Sequence, residues 1–212
     1  KTNEARDIFL RLADDADVII ENLRPGSVDS LGIGYETVRA RNPSIVYCSI
    51  SGFGSEGPYA QLPAYDTIGQ AMGGLLSLLT DLDDPKPMGI SLADHLTGIF
   101  ASYGILAALH GRTITGEGQL VETSLLQSMV SFVQENAANY FEESRVPRRD
   151  TRPRGPQAHC FVAGDGLPFV IHLSSPEKFW VVTARMIRWL LGFAPIRCPL
   201  IRCGSHAASN PT

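Results

Sequence analysis

The stretch Val18-Ile19-Ile20-Glu21-Asn22-Leu23-Arg24-Pro25-Gly26 joins a short apolar run to a polar loop. Three consecutive β-branched residues predict a buried strand over residues 18–20. Pro25 removes a backbone donor and Gly26 permits left-handed backbone, so this pair ends the strand and begins a loop. The sequence therefore predicts a strand whose carboxyl end carries a polar loop.

Helical and extended patterns alternate on both sides of this strand. Apolar residues at helical spacing predict a helix over residues 3–14, and a second helix is expected over residues 35–41 before Pro43. The run Ile-Val-Tyr-Cys-Ser-Ile-Ser over residues 45–51 predicts a second strand. Such alternation is typical of βαβ units, so we expect an α/β fold with a parallel sheet.

The remainder of the chain continues this pattern and then changes. We expect helices, a strand and a β-hairpin, with Gly73-Gly74 as a break or close-packing point: helices 66–79, 91–110 and 124–143, strand 119–122, and a hairpin of residues 161–163 and 169–173 around Gly164-Asp165-Gly166. The predicted organisation is part of a Rossmann-like large domain (1–125), a connecting helix with an Arg/Pro-rich linker (126–156), and the start of a smaller α+β domain with an atypical tail (157–212).

Composition limits the classes of function. The formal net charge is -4, which argues against a general nucleic-acid or membrane-surface binder. We find no signal peptide or membrane span, and the four cysteines form no dense framework, so a reducing, cytoplasmic compartment is expected. Cys198, Cys203 and His206 lack the spacing and the fourth ligand of a zinc site, so we predict no metal.

Both ends of the sequence are unusual. The first residue is Lys1, which leads at once into a helical pattern, and no acidic residue occurs from Val181 to the end. These features predict a fragment whose tail is out of frame.

One segment has a pattern that suits a reactive carboxylate. In Met88-Gly89-Ile90-Ser91-Leu92-Ala93-Asp94-His95-Leu96-Thr97-Gly98, Ser91 is a plausible helix N-cap and places Asp94 in the first helical turn. Carboxylates are favoured there by the free N–H groups and the partial positive charge of the helix end. Taken alone, the pattern is more typical of a simple cap than of a catalytic group.

Several motifs occur together in a fixed order, and the sequence resembles family III CoA-transferases (CaiB/BaiF) over about residues 1–180. This superfamily includes formyl-CoA transferase, carnitine CoA-transferase and α-methylacyl-CoA racemase. The motifs are Glu21-Asn22-Leu23-Arg24-Pro25-Gly26, Leu31-Gly32-Ile33-Gly34-Tyr35-Glu36, Ser49-Ile50-Ser51-Gly52-Phe53-Gly54, Gly57-Pro58-Tyr59, Ala64-Tyr65-Asp66, Gln70-Ala71-Met72-Gly73-Gly74, Pro87 and Gly89 before Asp94 and Gly98, and Thr115-Gly116-Glu117-Gly118-Gln119.

The resemblance implies a function and a set of site residues. Asp94 would be the nucleophile that attacks the thioester of an acyl-CoA and then carries CoA as an aspartyl thioester until a carboxylic acid accepts it. The loop residues Asn22, Leu23 and Arg24 would contact CoA, and Tyr65 and Asp66 would lie beside the nucleophile. The resemblance also implies coenzyme A as the bound substrate group and an interlocked homodimer.

Three alternatives remain open at this point, and one of them is that the chain is an inert piece of a pseudogene. An acyl-CoA racemase of the same superfamily would carry His where Tyr65 stands, and a Tyr with a pKa of about 10 exchanges protons poorly near neutrality, so transfer is favoured. A non-catalytic CoA-binding fragment is the third alternative. Without the resemblance, Asn22 is more typical of a solvated turn residue that bonds its own backbone, and Asp66 is at least as typical of a plain helix N-cap.

Overall fold

The two apolar runs predicted as strands, residues 18–20 and 45–51, lie side by side in one parallel sheet. The structure is a computed structural model that describes residues 2–149 and 157–173. The chain divides into two compact units, Lys1–Pro153 and Arg154–Thr212, and each is described by itself. The predicted boundaries after residues 125 and 156 stay predictions.

The sheet of the first unit has three strands in the order β1-β2-β3, all parallel. Its strands are β1 (Val18–Glu21), β2 (Val46–Ser51) and β3 (Leu120–Ser124). Val18 pairs with Val46 at one end, and Ser51 pairs with Ser124 at the other. The predicted α/β class and the parallel sheet are confirmed.

Eight helices accompany these strands in the described part of the chain. They are α1 (Asn3–Asp14), α2 (Ser27–Ser30), α3 (Tyr35–Arg39), α4 (Asp66–Met72), α5 (Leu75–Leu79), α6 (Leu92–Thr115), α7 (Leu125–Phe132) and α8 (Gln134–Glu143).

Two predicted helices are each divided in two, and one short helix, α2, was not predicted. Residues 66–79 form α4 and α5 because Gly74 adopts left-handed backbone with φ 83°, which a helix cannot contain. Residues 125–143 form α7 and α8, with Val133 outside helical geometry at φ -96° and ψ 19°. Val133 is buried in the core, whereas α8 has no buried residue, so the boundary falls where the chain leaves the core.

Helices cover both faces of the sheet, because successive side chains of a strand point to opposite sides. On one side, Tyr47 of β2 packs in a core cluster with Leu10 and Ala13 of α1, Val38 of α3, and Ile45, which directly precedes β2. On the other side, α6 lies on β2 and β3, close to Val121. A second core cluster joins α5, α6 and α7 through Leu75, Ala93, Leu125, Met129 and Val133.

Helix α6 is long and apolar enough, by length and composition alone, to cross a membrane. Its contacts with the sheet give another reason for that composition. Near its end, the Arg112 guanidinium donates to the Ser44 carbonyl oxygen at 3.0 Å and to the Asp17 carboxylate at 2.8 Å. These bonds hold α6 to the loops that precede β1 and β2.

The second unit contains an antiparallel pair, β4 (Gln157–Val162) and β5 (Pro168–Leu173). The turn between them places Gly166 at φ 84°, and the Ala163 N–H donates to the Leu167 carbonyl at 2.8 Å. The predicted hairpin is therefore confirmed, with β4 extended toward its amino end. Cys198, Cys203, His206 and the sequence after Val181 lie outside the described residues.

Candidate active site

A cleft of about 480 Å³ opens at the carboxyl ends of β1 and β2. Open parallel sheets commonly bind ligands at this edge, because loops from several strands meet there. The cleft is lined by the loop after β1, the end of β2, the segment before α4, and the first turns of α6: Asn22, Leu23, Arg24, Pro25, Ile50, Ser51, Gly52, Leu62, Pro63, Ala64, Tyr65, Asp94, Thr97, Gly98 and Leu125. Five of the six predicted site residues line it.

The loop after β1 is fixed by two hydrogen bonds. The Asn22 side-chain amide donates to the Ile50 carbonyl oxygen at 2.7 Å, and the Leu23 N–H donates to the Glu21 carboxylate at 2.8 Å. Asn22 thus bonds to the neighbouring strand rather than to its own backbone, which excludes the simple turn interpretation. These bonds leave Arg24 on the wall of the cleft, where a guanidinium is suited to phosphate oxygens.

The first turn of α6 is capped by a residue from another helix. Ser91 occupies the N-cap position, but its side chain makes no capping bond. Instead, Asp66 Oδ1 accepts the N–H groups of Ala93 and Asp94, at 2.8 and 3.2 Å. The sequence-based interpretation of Ser91 as the capping side chain was wrong, because an acceptor 27 residues away along the chain takes that role.

Asp66 is itself held in place. The Gln70 amide nitrogen donates to Asp66 Oδ2 at 2.6 Å and to the Ile90 carbonyl oxygen at 3.0 Å. Gln70 is 1% exposed, and its Oε1 is buried without a partner among the described residues. The two amide bonds thus fix the side chain despite an unsatisfied acceptor. Asp66 acts as a cap of α6 rather than of its own helix, whose N-cap is Tyr65.

The Asp94 carboxylate is exposed at the cleft. Partial desolvation and the neighbouring Asp66 carboxylate raise its pKa above the ordinary value, and nearby His95 acts in the opposite direction. Within residues 2–149 and 157–173, no hydrogen-bond donor contributes to this pKa. Asp94 is therefore not engaged as a cap. A carboxylate that is partly desolvated and repelled by a second carboxylate is more basic, and so more nucleophilic, than a fully solvated one.

Tyr65 lies on the cleft wall with 81% of its surface exposed. Sequence reasoning missed other wall residues, notably Thr97, which is buried and donates its hydroxyl to the Ala93 carbonyl at 2.7 Å. It also missed Gln70 as a support for Asp66. The separation of four residues between Asp66 and Gln70 on a predicted helix was a usable signal for that pair.

The described residues contain no group of three or more His, Cys, Asp or Glu side chains placed to hold a metal ion. The polar side chains that line the cleft include the Asp94 carboxylate, the exposed Tyr65 phenol and the Arg24 guanidinium.

A parallel α/β sheet with a cleft at its carboxyl edge and a carboxylate at a helix start beside that cleft is typical of α/β proteins that bind a ligand at this edge. The sequence matches the family model described as "CoA-transferase family III" over residues 1–189. The chain therefore belongs to CoA-transferase family III.

Individual relatives agree with this assignment. The chain is 37% identical over 172 residues to a succinyl-CoA:mesaconate CoA-transferase of Haloarcula hispanica, covering 78% of this chain and 43% of that protein. It is 40% identical over 179 residues to an acetyl-CoA:oxalate CoA-transferase of Acetobacter aceti, covering 82% and 46%. The crystal structure of a CAIB/BAIF family protein from Brucella suis matches with TM-score 0.76 and 35% identity, covering 90% of this chain and 50% of that one. The chain thus spans about half the length of these relatives.

Proposed function

We propose that this chain carries the nucleophile and the CoA-contacting loop of an enzyme that moves CoA from an acyl-CoA to a carboxylic acid. One observation carries the proposal: a single cleft brings together Asp94, Tyr65 and the Asn22-Leu23-Arg24 loop, although these residues are far apart in the sequence. Two of the relatives above are a succinyl-CoA:mesaconate CoA-transferase and an acetyl-CoA:oxalate CoA-transferase, which supports this class of reaction.

The proposed reaction begins with covalent catalysis. A carboxylate oxygen of Asp94 attacks the thioester carbon, the carbon–sulfur bond breaks, and CoA leaves as a thiolate, which gives a mixed anhydride. The thiolate attacks the Asp94 carbonyl carbon and expels the donor acid as a carboxylate, leaving an aspartyl-CoA thioester.

The acceptor acid completes the cycle by the same steps in reverse. Its carboxylate attacks the aspartyl thioester and releases the thiolate. The thiolate then attacks the acceptor carbonyl carbon of the new anhydride and restores the Asp94 carboxylate. No proton or oxidant is consumed, so the cycle needs only groups able to bind CoA and to stabilise oxyanions.

The remaining wall residues have roles within this proposal. Arg24 would pair with a phosphate of CoA, and Asn22 would hold the loop in register with β2 through Ile50. Tyr65 would face the acyl or acceptor group near Asp94. A homodimer and a cytoplasmic location stay predictions.

Trapping the anhydride tests the proposal on the unchanged protein. Incubation with acetyl-CoA or succinyl-CoA and hydroxylamine should convert Asp94 to a hydroxamate, which peptide mass spectrometry locates. Free CoA should give no label, and the exposed carboxylates Asp83 and Asp84 should stay unlabelled under all conditions. Protein that binds CoA but is never labelled would be a non-catalytic CoA-binding fragment. Deuterium exchange at the α-carbon of a 2-methylacyl-CoA without label would indicate the racemase.

The pKa of Asp94 determines how trapping depends on pH. Only the ionised carboxylate attacks, so the rate falls as pH drops through the Asp94 pKa, which is raised by desolvation and by Asp66. In a plot of trapping rate against pH, the fall on the acidic side should therefore occur at a higher pH than for an ordinary Asp. Asp66→Asn removes the repelling charge and should move this fall to lower pH, which initial trapping rates across a pH series measure. A fall at an unchanged pH would show that another group controls it.

A further inference from the structure

Helix α6 contains three interior glycines, although each interior glycine destabilises a helix relative to Ala. Two of them have a neighbour inside the protein. A Cβ at Gly104 would lie 2.5 Å from Val121 Cγ1, so this glycine lets α6 approach β3. A Cβ at Gly111 would lie 3.0 Å from the Gln119 amide nitrogen, the movable end of a flexible side chain.

Gly98 is different, because a Cβ there would meet no atom of the described chain within 4 Å. Packing against residues 2–149 and 157–173 therefore does not account for this glycine. It lines the cleft beside Thr97 and lies four residues after Asp94. Residues four apart share one helix face, with Cβ atoms about 5–6 Å from each other. The bare backbone at Gly98 thus keeps one side of the space around the Asp94 carboxylate open.

We propose that Gly98 is a specificity-determining residue that sets the size of the acyl group accepted at Asp94. This inference rests on the proposed function. The thioester carbon must reach the Asp94 carboxylate, and it carries CoA sulfur on one side and the acyl chain on the other. CoA is common to all donors, so the space beside the nucleophile selects among their acyl groups.

A side chain at position 98 should discriminate by acyl size. Gly98→Ala is expected to lower kcat/KM for succinyl-CoA about tenfold or more relative to kcat/KM for acetyl-CoA, since one methyl group in a substrate pocket has effects of this order. Gly98→Leu should extend the loss to acetyl-CoA. Ala and Leu both favour helices more than Gly does, and position 98 has room for them. The Tm of Gly98→Ala should therefore rise by about 2–4 °C.

Gly111→Ala is the matched control, because it makes the same change in the same helix, about 20 Å away along its axis. It should leave the ratio of kcat/KM for succinyl-CoA to kcat/KM for acetyl-CoA unchanged.

A constant ratio in Gly98→Ala, or equal losses for both donors, would overturn the inference while the proposed function stands. Unchanged protein that neither traps label at Asp94 nor transfers CoA would instead refute the proposed function itself, and this inference with it. A lower Tm in both Gly98 variants would show that the site is not open, which also contradicts the proposal.

Discussion

Asp94→Asn is expected to abolish CoA transfer while leaving CoA binding nearly unchanged. The amide has the size of the carboxylate but lacks its nucleophilic charge, so the first covalent step is lost. Loss of a covalent nucleophile typically costs about 10⁴-fold or more in kcat. The measurements are the rate of CoA exchange between donor and acid, and the Kd for CoA by calorimetry.

Two further variants make this result specific. Asp94→Glu keeps the charge but moves it by one methylene, and a displacement of about 1 Å costs on the order of 10²-fold, so it should be intermediate. Asp84→Asn removes a carboxylate from an exposed pair with Lys86 and should behave like the unchanged protein. If Asp94→Asn retained more than a tenth of the activity, Asp94 would not be the nucleophile.

Asp66→Ala should have the largest effect on stability among the changes considered. The substitution leaves the N–H groups of Ala93 and Asp94 without their shared acceptor, and it removes one of two bonds that hold buried Gln70. Loss of a helix cap costs about 0.5–2 kcal/mol, and a broken charged hydrogen bond to a buried donor adds a similar amount. We expect a fall of about 1–4 kcal/mol in the free energy of unfolding, measured by urea denaturation.

The companion variant Asp66→Asn separates the contribution of the α6 cap from that of the hydrogen bond to Gln70. Its amide oxygen still accepts from the first turn of α6, but its NH₂ group faces the Gln70 NH₂, so the loss should be smaller than for Ala. Thr67→Ala, at the exposed neighbouring position, should change stability by less than about 0.5 kcal/mol. Equal stability of Asp66→Ala and Thr67→Ala would mean that the α6 cap does not need Asp66.

Much of the fold followed from local patterns. The β-branched run at residues 18–20, the longer run at 45–51 and their spacing by helical segments were enough to predict parallel strands, since strand and helix periodicities are local properties. The break at Gly74 was anticipated for the same reason, because glycine adopts left-handed backbone at low cost. The break at Val133 was missed, because no glycine or proline accompanies it: Val133 leaves helical geometry while its side chain is buried with Leu125 and Met129.

In the candidate site too, some features were predictable from the sequence and others depended on the tertiary structure. The sequence alone determined the type of residue at each place: a carboxylate in the first turn of α6, a polar loop after β1, and an aromatic–acid pair at the start of α4. Only the tertiary structure decided that these segments border one cleft and that Asp66, not Ser91, caps α6. Hydrogen bonds between residues far apart in the chain leave no periodic trace in the sequence, whereas backbone propensity and hydrophobic alternation do.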